Sequence, residues 1–312
     1  MLALMAEPTL RQLLFLAETA RAGSLAGAAE HLHLTGPAIA QQLRTLERVV
    51  GLRLLERGPD GQRLTEAGRI LVRSHEAIAA ELEAAREEID ELRHARTGTV
   101  HMGAVSTAKY FSPYVIAAFQ RRHPEVRVTL TDGNRDEVLE QLEGFHIDLA
   151  VMGRAPDRLD VEQAEIGDHP YVVVAAPDHP LAGRRRVARS VVAREPFVVR
   201  EPGSGTRQHF DDLVDTEAHH PPIALEVTSN ETIKQAVMAG LGLALISAHT
   251  IAAEVDDGRL VVLDVVGLPV RRHWLVVRMA RRAVSPATRA LWDFVRTEAG
   301  AMLPTVDVDP RG

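Results

Sequence analysis

From Glu66 to about Ala95 the chain carries no proline and only one glycine, Gly68, and its apolar positions Leu71, Ile78, Leu82, Ala85, Ile89 and Leu92 step by sevens and then by threes and fours. That spacing predicts one long helix with an apolar seam. A helix of this span reaches roughly 45 Å, further than a small domain is wide. Its other face carries Glu81, Glu83, Glu87, Glu88, Asp90 and Glu91, which require solvent. A seam bordered by charge needs a second helix, most simply the same segment of another copy of the chain; the alternative is a helix packed on its own domain. The feature divides the 312 residues into a small N-terminal body, a helical connection and a large C-terminal body.

Residues 9–50 read as three short helices. Thr9 caps the first, whose apolar positions Leu10, Leu13, Ala17 and Ala20 recur at helical spacing until Gly23 ends it. Ser24 caps a second helix running to Leu32, with Leu25, Ala28, Ala29 and Leu32 on one face, and His33 and Leu34 make a tight turn. Thr35 caps the third. Pro37 falls in its first turn, where a missing N–H costs little, and Gly51 supplies the left-handed stop. In this third helix Ile39, Leu43, Leu46 and Val50 form one stripe, while Pro37, Gln41, Arg44 and Arg48 lie opposite. A strand over Leu52 to Arg57, an Asp60-Gly61 turn and a strand over Gln62 to Thr65 then predict a hairpin with Arg57 and Arg63 at its base.

A helix-turn-helix followed by a two-stranded wing and a dimerising helix is an arrangement for duplex DNA, because the second helix of the pair fits the major groove. Gln41 and Arg44 can donate to base edges, Ser24, Thr35 and Arg48 can hold phosphates, and Arg57 and Arg63 can reach the adjacent backbone or minor groove. Residues 44–69 hold six arginines against four acids, a modest local excess. The bland alternative is three-helix packing with exposed arginines. A net charge of −7 opposes non-specific coating of nucleic acid but leaves a local reading face open.

Beyond Gly98 strands alternate with helices, which predicts parallel sheets flanked by helices. The expected strands are Val100 to Ala104, Val126 to Leu130, Ile147 to Met152, Tyr171 to Ala176, Phe197 to Arg200, Ala224 to Val227, Leu243 to Ile246, Leu260 to Leu263 and Trp274 to Arg278. Helix starts are marked by Ser112 before Pro113, Ser285 before Pro286, and Ser229 or Asn230, which opens a helix ending at Gly240. Two such lobes leave a cleft at the carboxyl ends of their strands. Ser106-Thr107, Asn134-Arg135, Gly153-Arg154, the run Arg200 to Arg207 and Thr228-Ser229-Asn230 all follow strands. Hydroxyls, helix N-termini and arginines together favour an anion. The run Arg200-Glu201-Pro202-Gly203-Ser204-Gly205-Thr206-Arg207 reads either as backbone amides exposed to an anion or as a plain strand-to-helix turn capped by Ser204 or Thr206. It lacks the Lys-Ser/Thr ending of a nucleotide P-loop.

Other classes find little support. With no cysteine, disulfides and thiolate metal sites are excluded, and a reducing compartment, the cytoplasm, is expected. Met1 to Pro8 does not read as a signal peptide, and the apolar stretch Ala236 to Ala253 is too interrupted for a membrane span. Ser204 lacks nucleophile-elbow spacing, so no catalytic triad can be nominated and no enzyme is expected. The pairs His31/His33 and His219/His220 lack closing metal ligands, and Trp274 and Trp292 lie in apolar runs and are expected to fill core space.

The runs from Gly23 to Leu32, Leu34 to Glu47, Gly51 to Arg57 and Leu64 to Gly68 resemble the N-terminal signature of LysR-type transcriptional regulators, and the resemblance extends over essentially the whole chain. It implies a homodimer or homotetramer with paired linker helices on double-stranded promoter DNA. Gly36 and Ala40 stand where the family usually has glutamine and serine, so base contacts are expected to shift toward Gln41 and Arg44. The segments Ser106 to Phe111, Gly133 to Arg135, Ile147 to Arg154, Arg200 to Arg207 and Ser229 to Gly240 are similar to the subgroup that regulates the Calvin-cycle (RuBisCO) operon. That similarity implies no resident cofactor but an anionic effector such as a sugar phosphate, phosphoenolpyruvate or NADPH. It places Ser106, Thr107, Asn134, Arg135, Arg154, Arg200, Gly205, Thr206 and Asn230 at the effector cleft, with Ser204 in the same run and Lys109 assisting.

The expected fold is an N-terminal all-α winged helix-turn-helix plus a long linker helix, followed by a C-terminal α/β two-lobed, periplasmic-binding-protein-like domain. The expected divisions are residues 1–66, 67–97 and 98–312, with one lobe over 98–168 and 270–300 and the other over 169–269. A regulator of an unrelated metabolic operon and a solute-binding protein without DNA function are the alternatives.

Overall fold

The computed structural model describes residues 7–58, 61–94, 98–156, 158–214 and 220–306. Outside them lie most of Met1 to Pro8, Asp60 of the expected turn, Ala95 at the expected end of the long helix, and His219. The side chains of Glu87, Glu88, Asp90, Glu91 and Leu92 are likewise outside the description. Two units emerge, residues 1–83 and 84–312.

The N-terminal unit holds α1 (Leu10–Arg21), α2 (Leu25–His31), α3 (Gly36–Val50), β1 (Leu55–Gly58), β2 (Gly61–Leu64) and the start of α4 (Glu66–His94). Thr9 closes a capping box: its hydroxyl accepts from the Gln12 amide at 3.3 Å and the Gln12 side chain accepts from the Thr9 amide at 3.1 Å. The Ser24 hydroxyl accepts from the Gly27 amide at 3.0 Å. Thr35 occupies the cap position of α3, but its side chain makes no capping bond, a correction to the sequence reading. Gly51, at φ 77°, ends α3 as expected. Leu13, Leu16, Ala28, Ile39, Leu43, Leu46 and Leu54 make the core, which Leu71 and Val72 of α4 extend.

The wing is shorter than expected, since Leu52 to Leu54 are not strand. The fold uses Leu54 differently: its side chain is buried and its amide donates to the Glu47 carboxylate at 2.9 Å. The wing is tied down at Gly61, where φ is 123° and a Cβ would lie 2.3 Å from the Gly23 carbonyl oxygen. Only glycine allows the neighbouring Gln62 amide to donate to that carbonyl at 2.8 Å.

The C-terminal unit comprises β3 (Gly98–Val105), α5 (Ser112–Arg122), β4 (Val126–Gly133), α6 (Arg135–Glu143), β5 (Leu149–Met152), β6 (Val161–Ala175), α7 (Arg189–Val192), β7 (Phe197–Arg200), α8 (Gly205–Val214), β8 (Ile223–Val227), α9 (Asn230–Met238), β9 (Ala244–Ser247), α10 (Ala252–Asp256), β10 (Val261–Val262), β11 (Val270–Met279) and α11 (Pro286–Glu298). The expectation of parallel sheets needs correction. The large sheet is mixed, in the order β10-β6-β11-β5-β3-β4 with β9 also on β6. β3 is parallel to β4 and β5, but β6 and β11 run antiparallel to each other from Val270↔Tyr171 to Met279↔Val161.

These two long strands serve both lobes. Ile166, Trp274 and Val276 belong to one core, built with Met102, Phe119 and Leu142. Further along β6, Tyr171, Val173 and Ala175 face a second core and Val172 and Val174 a third, one on each side of the sheet. The first half of β6 escaped the sequence reading because Glu162, Gln163, Glu165, Asp168 and Pro170 break its apolar pattern. At the crossing, Trp274 is fully buried against His169, their rings 3.6 Å apart at 12°. Trp274 Nε1 donates to His249 Nδ1 at 3.0 Å. Both tryptophans fill core space as expected. Ser285 caps α11, and Ser229 caps α9. Ser112 is inside α5 rather than at its cap, which Phe111 occupies.

Candidate functional sites

On α3, Ile39, Leu43 and Leu46 are buried, which turns Pro37, Gln41, Arg44 and Arg48 to solvent. Thr35 is exposed beside them; Gly36 and Ala40 are half-buried. Ser24 is half-buried with its hydroxyl engaged at the start of α2. In the wing, Glu56 pairs with Arg63 and Arg57 with Gln62. Because side chains alternate along a strand, Arg57 and Arg63 project from opposite faces of the ribbon. The two wing arginines therefore cannot serve one surface from the same face, which narrows the expectation that both reach a single backbone.

The cleft of the C-terminal unit is divided into two chambers that share Ser106, the residue following β3. Every expected effector residue lines one or the other. The first chamber, about 280 Å³, gathers Ser106, Thr107, Arg135, Arg154, Ser204, Gly205 and Thr206. The Arg135 guanidinium is steered by the carbonyl oxygens of Arg154 and Ala155 at 3.4 and 3.3 Å. Thr107, Ser204 and Thr206 are buried, whereas Arg154 stands exposed at the rim.

Besides Val105, five residues of this chamber were not anticipated: Tyr171, Gln208, His209, Asp212 and Arg272. Gln208, His209 and Asp212 follow Gly205 by three, four and seven residues along α8, so the helical period could have found them. Tyr171 and Arg272 come from the lobe crossing, where no local signal points to a site. The Tyr171 hydroxyl bonds to Thr206, and burial pushes its pKa up. Burial, with the nearby Arg272 and Arg154, pushes the His209 imidazole down to about 4 against the opposing pull of Asp212. The chamber thus presents three guanidiniums, a neutral imidazole and several hydroxyls against one carboxylate.

The second chamber, about 210 Å³, contains Lys109, Asn134, Arg200 and Asn230. Arg200 is only 2% exposed and holds the lobes together. Its Nη1 donates to Ser106 Oγ at 3.1 Å and Asn230 Oδ1 at 2.8 Å, while Nε and Nη2 grip both oxygens of Glu201 at 2.7 and 2.8 Å. Asn134 closes a capping box with Glu137 at the start of α6. The glycine-rich run between β7 and α8 resolves as a close approach between lobes. At Gly203, φ is 87° and a Cβ would lie 2.8 Å from Asp136 Oδ2. The Gly203 carbonyl accepts from the Asp136 amide at 3.3 Å.

Among the described residues no group of histidines and acids is arranged to hold a metal, and no helix is long and apolar enough to cross a membrane.

Comparison with known proteins decides the family. Residues 10–69 match "Bacterial regulatory helix-turn-helix protein, lysR family" and residues 93–300 match "LysR substrate binding domain". The chain belongs to the LysR family. It is 48% identical over 298 residues to the HTH-type transcriptional regulator CbbR of Xanthobacter flavus, covering 95% of this chain and 90% of that one. It is 40% identical over 294 residues to the RuBisCO operon transcriptional regulator of Allochromatium vinosum, covering 94% and 97%. Among solved structures it is similar to the regulatory domain of CcmR from Synechocystis PCC6803 in complex with 2-PG, with a TM-score of 0.62, 32% identity, and coverage of 64% of this chain and 96% of that one. Full-length CbnR complexed with its target DNA shares the fold, with a TM-score of 0.63 at 21% identity over 92% of this chain and 99% of that one. As a LysR-family chain this is a DNA-binding transcriptional regulator, and its relatives are named regulators rather than enzymes. The helix-turn-helix match sets aside the solute-binding alternative.

Proposed function

We propose that this LysR-family regulator controls carbon-fixation genes from the cytoplasm and is switched by a small phosphorylated anion bound in the first chamber. The observation that carries the reading is the convergence of Arg135, Arg154 and Arg272 with buried hydroxyls on a cavity of about 280 Å³ between two lobes. Relatives named as CbbR and as a RuBisCO operon regulator support the target, and the 2-PG bound to the CcmR regulatory domain supports the ligand class.

The proposed division is a DNA-binding unit over 1–66, a linker helix over 67–97 and an effector domain over 98–312, with lobes as the sequence predicts. α3 enters the major groove, with Gln41 and Arg44 on base edges, Thr35, Arg48 and Ser24 on the backbone, and the wing arginines Arg57 and Arg63 reaching the duplex from opposite faces of the ribbon, one toward the backbone and one toward the minor groove. Gly36, Pro37 and Ala40 form the close-approach surface at its start. Ile78, Leu82 and Ile89 of α4 are exposed on a single chain and support a homodimer, or a homotetramer built from dimers. The ligand acts by favouring one degree of lobe closure, since only a difference in affinity between two states shifts their balance. Footprinting of the chain's own upstream promoter with and without a panel of phosphorylated metabolites tests this. A footprint and an affinity that no compound alters remove the sensing claim.

A further inference from the structure

We infer that His209 is a proton-linked contact for the effector: its imidazole takes up a proton from solvent as an anion enters the first chamber, so that ligand and proton bind together and the ligand binds more tightly as pH falls. This rests on the reading of the first chamber as an anion site and names the residue through which that site feels pH.

One imidazole is placed for this. His209 lies on α8 one turn beyond Gly205 and Thr206, which line the same cavity. Among the described residues no hydrogen bond engages its ring nitrogens, and neither nitrogen is occluded, so both are open to the chamber that the residue lines. The two histidines at the lobe crossing differ. His169 is fully buried, with Nε2 at 3.0 Å from Ser247 Oγ and Nδ1 enclosed. His249 Nδ1 is taken by the Trp274 indole, and neither ring lines the chamber.

The walls keep the His209 ring neutral until negative charge arrives. Arg272 on β11 and Arg154 after β5 face it, and Arg135 at the start of α6 lines the same cavity. Asp212, further along α8, pulls the other way as the one carboxylate of the chamber. From β6, Tyr171 lies against the ring with centroids 4.4 Å apart, and His169 lies against Tyr171 at 4.5 Å. Burial and the guanidiniums together outweigh Asp212 and hold the imidazole down at about 4.

An oxyanion among these arginines reverses the local field. An opposite charge within about 4–6 Å raises the pKa of a neighbouring imidazole by about 1–3, which carries His209 toward neutrality. The imidazolium then has N–H groups on both ring nitrogens, one to donate to the anion, and the Tyr171 ring stabilises its charge. The sign follows from linkage. The free site is neutral and the occupied site protonated, so His209 adds nothing at pH 8 and adds progressively more below pH 7.

Calorimetric titration of the full chain with 2-PG and with inorganic phosphate at pH 8, 7 and 6 tests this on wild type and on His209→Gln, a side chain that hydrogen-bonds but takes no proton. The readout is the ratio of variant to wild-type dissociation constants, in which the ligand's own ionisation cancels. That ratio is expected to grow about two- to tenfold from pH 8 to pH 6. Should the glutamine variant not fold, His209→Asn carries the same comparison. A ratio that stays constant across the three pH values overturns the role of His209 and leaves the anion site standing. A pH dependence that survives in His209→Gln and disappears in Asp212→Asn assigns the proton to the carboxylate and overturns it equally. Failure of both compounds to bind wild type overturns the anion site and the proposal together.

Discussion

Replacing Arg200 by methionine keeps most of the side-chain volume and deletes the charge. The substitution removes the bonds to Ser106 and Asn230 and leaves the Glu201 carboxylate, whose side chain is 15% exposed, without its cation. Breaking a buried ion pair on one side costs about 3–5 kcal/mol, because an uncompensated charge remains. Replacing both partners is far milder, so Arg200→Met with Glu201→Leu should recover most of the loss. The fold offers a clean readout. Both tryptophans, Trp274 and Trp292, lie in the core of the C-terminal unit, so urea unfolding followed by tryptophan fluorescence reports on that unit. With a urea dependence of about 2–3 kcal/mol per molar, the single substitution lowers the midpoint by about 1–2.5 M. A single variant that unfolds within 0.3 M of wild type (on the order of the precision of such a midpoint) refutes the reasoning. So does a double variant no more stable than the single one.

The remaining expectations concern pH, DNA and assembly. His209 and His249 are each pushed to about 4, so the fold refuses protons that the unfolded chain accepts below about 6.5. Their contribution is complete above pH 6.5 and is lost as pH falls toward 4, on the order of 1 kcal/mol each at pH 5 once solvent screening is allowed for; urea midpoints at pH 7 and 5 check this, and equal midpoints contradict it. Arg44→Ala should weaken binding to the cognate promoter by about 1–3 kcal/mol and relax base preference, whereas Arg48→Ala should weaken cognate and random duplexes alike. Anisotropy titrations with both duplexes separate the two. Leu82→Asp, at a position 48% exposed on the single chain, should lower the mass seen by analytical ultracentrifugation, and an unchanged mass removes α4 as the assembly seam.

What was legible in the sequence followed the range of the interaction. Thr9 with Gln12, Ser24 with Gly27 and Gly51 after α3 act within one helical turn, and each is visible as a residue type at a fixed offset. Strands buried on both faces, such as Phe197–Arg200, announce themselves by apolar runs. The first half of β6 does not, because Glu162, Gln163, Glu165 and Asp168 are exposed and the apolar residues paired with it, Leu275 to Val277, come from its partner β11. The cleft was legible as a set of polar residues after strand ends, but not as two chambers. Nothing in the order of residues says that the cation Arg200 is spent on its neighbour Glu201, or that Arg272 swings in from a distant strand. Gly203 carried a signal, though its cause is the approach of Asp136 across the lobes rather than a phosphate cradle.

The most direct measurement is promoter affinity with and without a saturating phosphomonoester, taken on wild type and on Arg154→Ala. The account predicts that the ligand shifts wild-type affinity, while the variant binds promoter normally without ligand and responds weakly or not at all. A variant whose response equals that of wild type would show that the arginines of the first chamber do not hold the signal.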